Sequence, residues 1–242
     1  MSAAARLIVA LDETRLAPAL AAARRLRGVV QTVKIGSALF TVCGPEAIRQ
    51  VQALGFDVML DLKFFDIPST VELSCRAAAR HRVSLLTVHA RGGRRMLEAA
   101  VRGVRDAARQ ARVARPQVLG VTVLTSDAGV SPARVRREVL RLAQAAREAG
   151  CDGVVASAHE ASSLRRRFGP RLRIVCPGIR PACPAGRPAG AVGGDDQRRV
   201  CTPAEALAQG ADALVVGRPI TGACNPAAAA RAMLEEMESG PC

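Results

Sequence analysis

Short apolar segments alternate with longer amphipathic segments along the whole chain, and this alternation most constrains how the chain can fold. Eight apolar segments have the length of strands, at residues 6–12, 32–36, 57–63, 84–90, 117–124, 152–157, 173–178 and 212–217. They are continuous runs of Val, Ile and Leu, which is typical of strands that are buried on both faces of a parallel sheet.

The segments between them have helical length and are rich in Ala, Arg and Leu. Residues 134–150 (RVRREVLRLAQAAREAG) are one example, and Gly150 is placed to end that helix before the next strand. Eight strands, each followed by a helix, predict an α/β fold of the (β/α)8 TIM-barrel type, with residues 1–242 forming one domain. A doubly wound open sheet is the alternative. It requires a G-x-G-x-x-G turn after the first strand, where this chain has LDETRLAP.

The composition indicates a globular protein of the cytoplasm. Hydrophobic residues make up 49% of the chain and charged residues 23%, and no apolar run approaches the roughly 18 residues that span a bilayer. Asp12 interrupts the N-terminal apolar segment before a secretory signal could develop. The eight cysteines are scattered, without metal-ligand spacing, so we expect free thiols and no membrane partner.

The formal net charge of +14 raises the hypothesis of nucleic-acid binding. Against it, the arginines are spread over helical segments, and aromatic residues make up only 2% of the chain, with no Trp or Tyr to stack on bases. We therefore expect solvated helix faces and no nucleic-acid partner. A positive field would still attract small anionic molecules toward a cleft.

In a barrel of this kind the active site lies at the carboxyl ends of the strands. Polar or charged residues recur there: Asp12, Lys34, Asp61, Lys63, His89, Thr125, Ser126, Ser157, Gly217 and Arg218. The set contains both lysines of a chain that has 33 arginines. A tendency of strands to end in polar loops explains some of these positions, but it does not explain why both lysines are among them.

The segment LDLKFFDIP (60–68) carries the densest group of charges. Asp61 and Lys63 are two apart in a strand and should share a face, with Lys34 on the neighbouring strand and Asp66 just past the strand end. Lysine is a compact cation that can release a proton, whereas arginine effectively cannot. Nearby carboxylates favour the protonated form, which favours a proton donor over a Schiff-base nucleophile. A purely structural ion-pair cluster is the alternative interpretation.

The loops after strands seven and eight are a frequent phosphate site in TIM barrels. Here Gly217 permits close approach of the backbone and Arg218 can bind phosphate with two hydrogen bonds, while Arg180 and Gln197 are further donors. The Pro/Gly-rich residues 181–196 between them predict a flexible lid over the phosphate. These features indicate a phosphorylated small-molecule substrate.

Taken together, these motifs resemble the orotidine 5′-phosphate decarboxylase family, in its bacterial short-chain form. The matching segments are VALD (9–12), VKIGSALFTVCGP (33–45), LDLKFFDIPSTV (60–71), VHARGG (88–93), VTVLTS (121–126), DGVVASAHE (152–160), PGIRP (177–181), GDDQRRVCTP (194–203) and VVGRPIT (215–221). D-x-K-x-x-D followed by Ile-Pro is highly specific in this order. Serine stands in DIPST where asparagine is more usual, and the loop from Pro181 to Gly194 is unusually long.

The resemblance implies decarboxylation of orotidine 5′-monophosphate to uridine 5′-monophosphate in pyrimidine biosynthesis, with no cofactor and no metal. It implies that Lys63 is the proton donor, with Asp61, Asp66 and Lys34 as its charged network. The other implied substrate contacts are Asp12 and Lys34 at the ribose, Thr125 and Ser126 near the base, and Arg180, Gln197, Gly217 and Arg218 at the phosphate. Ile67 and Thr70 share a segment with Asp66, which in a homodimer reaches the neighbouring subunit's site.

Two other functions stay open on the sequence alone. A metal-dependent sugar-phosphate decarboxylase or synthase of the same wider group shares D-x-K-x-x-D, but has an acidic residue where this chain has Lys34. A non-catalytic, basic binding barrel is the more distant alternative. It predicts that replacing Lys63 is harmless and that binding weakens steeply with salt.

Overall fold

The strands and helices of this computed structural model are described over residues 2–124, 131–182 and 199–239. The strands are β1 Leu7–Leu11, β2 Thr32–Gly36, β3 Asp57–Phe64, β4 Leu85–His89, β5 Gln117–Val121, β6 Gly153–Val155, β7 Arg173–Cys176 and β8 Ala213–Val216. They pair in parallel, in chain order, and β8 closes onto β1. The predicted (β/α)8 barrel is therefore confirmed, and the open doubly wound sheet is excluded.

A helix follows every strand, and one short helix precedes β1. They are α1 Ala3–Arg6, α2 Leu16–Leu26, α3 Ser37–Cys43, α4 Pro45–Ala53, α5 Pro68–Arg80, α6 Gly93–Ala111, α7 Pro132–Glu148, α8 Ala158–Phe168, α9 Pro203–Ala208, α10 Arg218–Thr221 and α11 Pro226–Ser239. Within the described ranges, no helix is long and apolar enough to cross a membrane.

Proline and glycine set several helix boundaries. Pro68, Pro132 and Pro203 each open a helix, where the missing N–H costs no hydrogen bond. β3 ends at Phe64, four residues before Pro68 begins α5. Gly150 follows α7 with a φ of 84°, in the left-handed region that glycine tolerates, as its predicted role requires.

The alternation of side chains divides the core into two layers. Inward-facing residues fill the barrel: Ile8, Ala10, Met59, Leu85, Leu119, Val175, Ala213 and Val215. A larger cluster lies between the sheet and the helices, with Val9, Val33 and Leu86 among its members. Because every strand is buried on both faces, its apolar run is continuous in the sequence. The six cysteines of the described residues (43, 75, 151, 176, 201 and 224) are free thiols.

Some predictions concern the part of the chain that the structure leaves undescribed. Thr125, Ser126 and Gln197 lie outside the described residues, as does most of the expected lid at 181–196. Their assignment, and that of residues 1–242 to one domain with such a lid, stays a prediction.

Candidate active site

A cavity of about 460 Å³ lies at the carboxyl ends of the strands. Its described lining includes seven of the residues predicted to form the site: Asp12, Lys34, Asp61, Lys63, Arg180, Gly217 and Arg218. They come from strand ends that are far apart in the sequence, and closure of the barrel brings them to one opening. The depth of the cavity is set by the inward-facing residues Ala10, Met59 and Val215, which form its floor.

Four charged side chains form a continuous chain of contacts along one wall. Lys34 Nζ lies 2.9 Å from Asp12 Oδ1 and 3.5 Å from Asp61 Oδ2. Lys63 Nζ lies 2.9 Å from the same Asp61 oxygen. Negative and positive charges therefore alternate in the order Asp12, Lys34, Asp61, Lys63. Asp61 is the shared member, with an ammonium group on either side.

Lys34 is held deep in this wall, because only 8% of the residue is exposed. A buried ammonium group is stable only when carboxylates or other acceptors replace its water, and Asp12 and Asp61 do so. Gly36, at the end of β2, leaves room for the arrangement. A Cβ atom there would lie 3.1 Å from Lys34 Nζ and 3.3 Å from Asp12 Oδ1.

Lys63 is the more exposed of the two lysines, with 40% of its side chain accessible. Its ammonium group points to the cavity, and its exposure makes it available to a ligand. Its backbone has a φ of 48°. This left-handed conformation is rare for residues other than glycine and asparagine. Such backbone strain clusters at functional sites, where the surrounding structure holds it in place.

The closeness of Asp61 and Lys63 has a different cause from the one predicted. We expected regular alternation along β3 to place both on one face, but the pairing of β3 with β4 shifts register between Leu60 and Phe64. Lys63 lies in this irregular stretch. Its side chain reaches Asp61 from a distorted strand end. The Asp61–Lys63 ion pair therefore forms although the regular pairing of β3 with β4 is interrupted there.

Thr87 fixes this distorted end and was missed by the sequence analysis. Its Oγ1 donates a hydrogen bond of 2.9 Å to Asp61 Oδ1 and accepts one of 2.9 Å from the backbone N–H of Lys63. Thr87 is fully buried on β4, two residues before His89. The sequence did contain a signal for Thr87. Side chains alternate along a strand, so Thr87, two residues before the polar strand end His89, faces the same side as His89.

The electrostatics of the wall keep Asp61 ionised. Burial acts to raise the pKa of Asp61, but the neighbouring ammonium groups of Lys34 and Lys63 and the hydrogen bonds from Lys63 and Thr87 outweigh it. The net effect is a pKa below the usual aspartate range. The wall therefore presents a fixed negative charge between two fixed positive ones.

A second group of residues lines the same cavity from the ends of β7 and β8. Arg180 follows β7, and its backbone N–H donates to the carbonyl of Cys201, which ties the segment after β7 to the segment before α9. Gly217 and Arg218 follow β8, where α10 begins. A Cβ atom on Gly217 would lie 3.4 Å from Asp12 Oδ2, so this turn packs against the charged wall.

Three predicted residues lie beside the cavity and do not line it. Asp66 is exposed, and its Oδ1 accepts a hydrogen bond of 2.6 Å from the backbone N–H of Ile67. Ile67 is 63% exposed, and Thr70 is exposed in the first turn of α5. Within one chain, therefore, the structure does not bring these residues to Lys63. Their predicted roles require another subunit.

The sequence of the chain matches a known group of proteins. The sequence profile described as "Orotidine 5'-phosphate decarboxylase / HUMPS family" matches residues 5–233 of the chain. The chain belongs to this family. The predicted resemblance is thus confirmed over nearly the full length.

Several individual members of the orotidine 5′-phosphate decarboxylase family are similar to the chain. The orotidine 5′-phosphate decarboxylase of Halorhodospira halophila is 48% identical over 238 residues, covering 96% of this chain and 95% of the relative. That of Nitratidesulfovibrio vulgaris strain DP4 is 45% identical, covering 96% and 97%. The crystal structure of the Lactobacillus acidophilus decarboxylase is 34% identical, covers 96% of this chain and 99% of that one, and superposes with a TM-score of 0.78.

Proposed function

We propose that this chain decarboxylates orotidine 5′-monophosphate to uridine 5′-monophosphate and CO2, the carboxy-lyase step of pyrimidine biosynthesis, without a cofactor. The observation that carries the proposal is the Lys63 ammonium group, 2.9 Å from Asp61 in a cavity that Arg180 and Arg218 also line. The cavity thus offers a proton donor at the end of β3 and phosphate-binding cations at the ends of β7 and β8. The relatives with 45–48% identity carry the name of this decarboxylase.

Lys63 provides both charge and proton in this reaction. When the bond between C6 and the carboxylate breaks, CO2 leaves and the electron pair stays on C6, where the ring offers no adjacent electron sink. A fixed ammonium group stabilises that charge without reorganisation, which is usually the largest catalytic contribution. The pair then takes a proton from Lys63, and solvent reprotonates the resulting neutral amine.

The other residues hold Lys63 and the substrate in place. Asp61 orients the ammonium group through its 2.9 Å contact, and Thr87 orients Asp61. Asp12 and Lys34 are assigned to the ribose, and Arg180, Gly217 and Arg218 to the phosphate. Thr125, Ser126 and Gln197 keep their predicted roles near the base and the phosphate.

The metal-dependent sugar-phosphate enzymes are the second candidate, because the family description also includes HUMPS. Lys34 weighs against them. Its ammonium group stands 2.9 Å from Asp12 and 3.5 Å from Asp61, between the two carboxylates that a divalent cation would need. A cation at that place repels a metal ion by several kcal/mol at short range, about 4 kcal/mol per unit charge at 4 Å and an effective dielectric constant of 20.

Turnover in the presence of a chelator separates the two functions. Purified protein in excess EDTA, given orotidine 5′-monophosphate, should show the absorbance change of the pyrimidine ring and release one CO2 per uridine 5′-monophosphate. Restoration of turnover only by an added divalent cation would favour the metal-dependent alternative. Absence of turnover under both conditions would refute the proposed reaction.

The active form in this proposal is a homodimer in which Asp66 completes the partner's site. Large apolar side chains are exposed around Asp66: Phe65 (62%), Ile67 (63%) and Leu73 (65%). Large exposed apolar side chains, here just before α5 and within its first turns, are typical of a protein–protein contact. The Phe65 ring lies 5.5 Å from that of His89, which holds this segment at the rim of the barrel. A cytoplasmic location belongs to the same proposal, since substrate and product are charged nucleotides.

A further inference from the structure

Ser157 occupies a position in the cavity to which neither the reaction nor the fold assigns a role. It follows β6, on which Gly153 and Val155 alternate inward, and it lies among the residues that line the cavity. The residue is only 2% exposed. Its hydroxyl has no hydrogen-bond partner among the described residues.

The local sequence gives Ser157 an obvious structural role, which it does not perform. Ser157 directly precedes α8, and Glu160 is the third residue of that helix, so S-x-x-E has the form of a capping box. The Ser157 side chain makes no hydrogen bond to the helix N–H groups. The Glu160 carboxylate pairs with Arg199 instead of turning back to the helix start.

The same chain contains a capping box that does form. Thr202 precedes α9, its Oγ1 accepts a hydrogen bond from the N–H of Glu205, and the Glu205 carboxylate accepts one from the N–H of Thr202. A capping-box sequence is therefore able to form both of its hydrogen bonds in this protein. At Ser157 the hydroxyl is left uncommitted at the wall of the cavity.

An uncommitted hydroxyl in a buried place is unfavourable, because it has lost its hydrogen bonds to water without replacing them. Its neighbours in the cavity lining are apolar: Val155 lies two residues before it, Val121 pairs with Val155, and Pro177 directly follows the adjacent strand β7. An apolar wall with one hydroxyl group suits a flat ring that carries a polar substituent.

We propose that Ser157 is a further substrate-binding residue, whose hydroxyl donates a hydrogen bond to a carbonyl oxygen of the pyrimidine ring. This inference rests on the proposed function. The charged wall and the arginines are assigned to the ribose, the reacting carboxylate and the phosphate. Thr125 and Ser126 are predicted near the base, and because the ring carries two carbonyl groups, Ser157 would add a contact to theirs. A serine hydroxyl moves between three staggered positions by rotation about χ1, so it is able to turn toward a bound ring.

Substitution by alanine tests this assignment through binding and stability together. Ser157→Ala should bind uridine 5′-monophosphate, which keeps both ring carbonyls, about 3- to 10-fold more weakly by calorimetry, the loss expected for one hydrogen bond. Its KM for orotidine 5′-monophosphate should rise by a similar factor. Its Tm should stay unchanged or rise, because an unsatisfied buried polar group is removed.

Thr202→Ala is the matched control for the structural role, and only its Tm is compared. It removes a cap that forms, so its Tm should fall. A wild-type affinity for uridine 5′-monophosphate in Ser157→Ala, with or without a fall in Tm like that of Thr202→Ala, would overturn the assignment. Failure of the wild-type protein to decarboxylate orotidine 5′-monophosphate would refute the proposed function, while the comparison of affinities for the product still decides the role of Ser157.

Discussion

Lys34 and Lys63 contact the same carboxylate, Asp61, in a chain that otherwise uses arginine for its positive charges. The two lysines differ in exposure and in the number of carboxylates that they contact. Lys34 is 8% exposed and held by two carboxylates, which suits a permanent charge. Lys63 has 40% of its side chain accessible and touches Asp61 alone among the described carboxylates within 4 Å, which suits a group that must meet a substrate. In the proposed reaction the side chain at position 63 must be lysine, because a guanidinium group cannot release its proton at neutral pH.

Thr87→Val should damage catalysis without changing any charge. The substitution removes the hydroxyl that donates to Asp61 and accepts from the Lys63 backbone, and it keeps the shape of the side chain. Hydrogen bonds to charged groups contribute about 1.5–3 kcal/mol, so we expect kcat to fall about 10- to 100-fold. Thr87→Ser keeps the hydroxyl and should retain most of the activity. Rates for Thr87→Val within twofold of wild type would show that the hydroxyl does not position Asp61.

The lowered pKa of Asp61 predicts how stability depends on pH. The folded-state pKa lies below the unfolded one, so ionised Asp61 contributes stability that is complete above about pH 4 and is lost as pH falls through the folded pKa. Asp61→Asn should therefore have a lower Tm than wild type near pH 7, by an amount equivalent to about 2 kcal/mol. The difference in Tm should shrink on acidification below pH 4. A difference that widens there would contradict the assigned direction.

Among the secondary-structure elements, the strand ends position the site, and no single loop does. The ends of β1, β2 and β3 bring the charged wall, the ends of β7 and β8 bring the arginines, and the closed barrel brings these two groups to one cavity. In the proposed reaction, binding of the phosphate at the ends of β7 and β8 would hold the reacting ring against Lys63.

Arg218→Ala should remove the proposed contact between the arginine and the substrate phosphate. Loss of a charge-assisted, two-point contact to a phosphate dianion should lower kcat/KM for orotidine 5′-monophosphate by about 100-fold. Orotidine, which lacks the phosphate, should be a poor substrate of the wild type and lose less than about threefold further in the variant. Steady-state kinetics on both substrates measures the difference. Equal losses on the two substrates would remove Arg218 from the phosphate site.

The sequence was sufficient to predict the elements and insufficient to predict the irregular geometry. Buried strands leave continuous apolar runs, so all eight were found, although the run at 117–124 extends three residues beyond the end of β5 at Val121. The left-handed φ of Lys63 and the register shift beside it have no local sequence signal, because tertiary contacts from Thr87 impose them. For the same reason Ser157 was identified as a polar strand end, while its unused hydroxyl was not.

At the scale of the whole molecule, the site is incomplete in one chain if Asp66 acts in catalysis. Asp66 is exposed beside Phe65 and Ile67, and none of the three lines the cavity of its own chain. An isologous dimer would cover the apolar side chains and carry each Asp66 toward the partner's cavity.

Subunit mixing measures whether Asp66 acts across the interface. Lys63→Ala and Asp66→Ala should each be inactive as homodimers. After exchange, half of the dimers are hybrids with one intact site each, so roughly a quarter of wild-type activity should return. Lys63→Ala mixed with Asp61→Ala is the control and should stay inactive, since both residues belong to the cluster of one chain. Failure of the first pair, with exchange verified by mass, would show that Asp66 acts within its own subunit or has no catalytic role.

In the proposed reaction the Lys63 ammonium group delivers the proton that replaces CO2. The most direct measurement is the rate of conversion of orotidine 5′-monophosphate by wild type and by Lys63→Arg, followed by pyrimidine absorbance in excess EDTA. Wild type should turn over, and the arginine variant should lose about a thousandfold or more while remaining folded, because it keeps the positive charge but cannot give up a proton. A Lys63→Arg rate within tenfold of wild type would contradict the account.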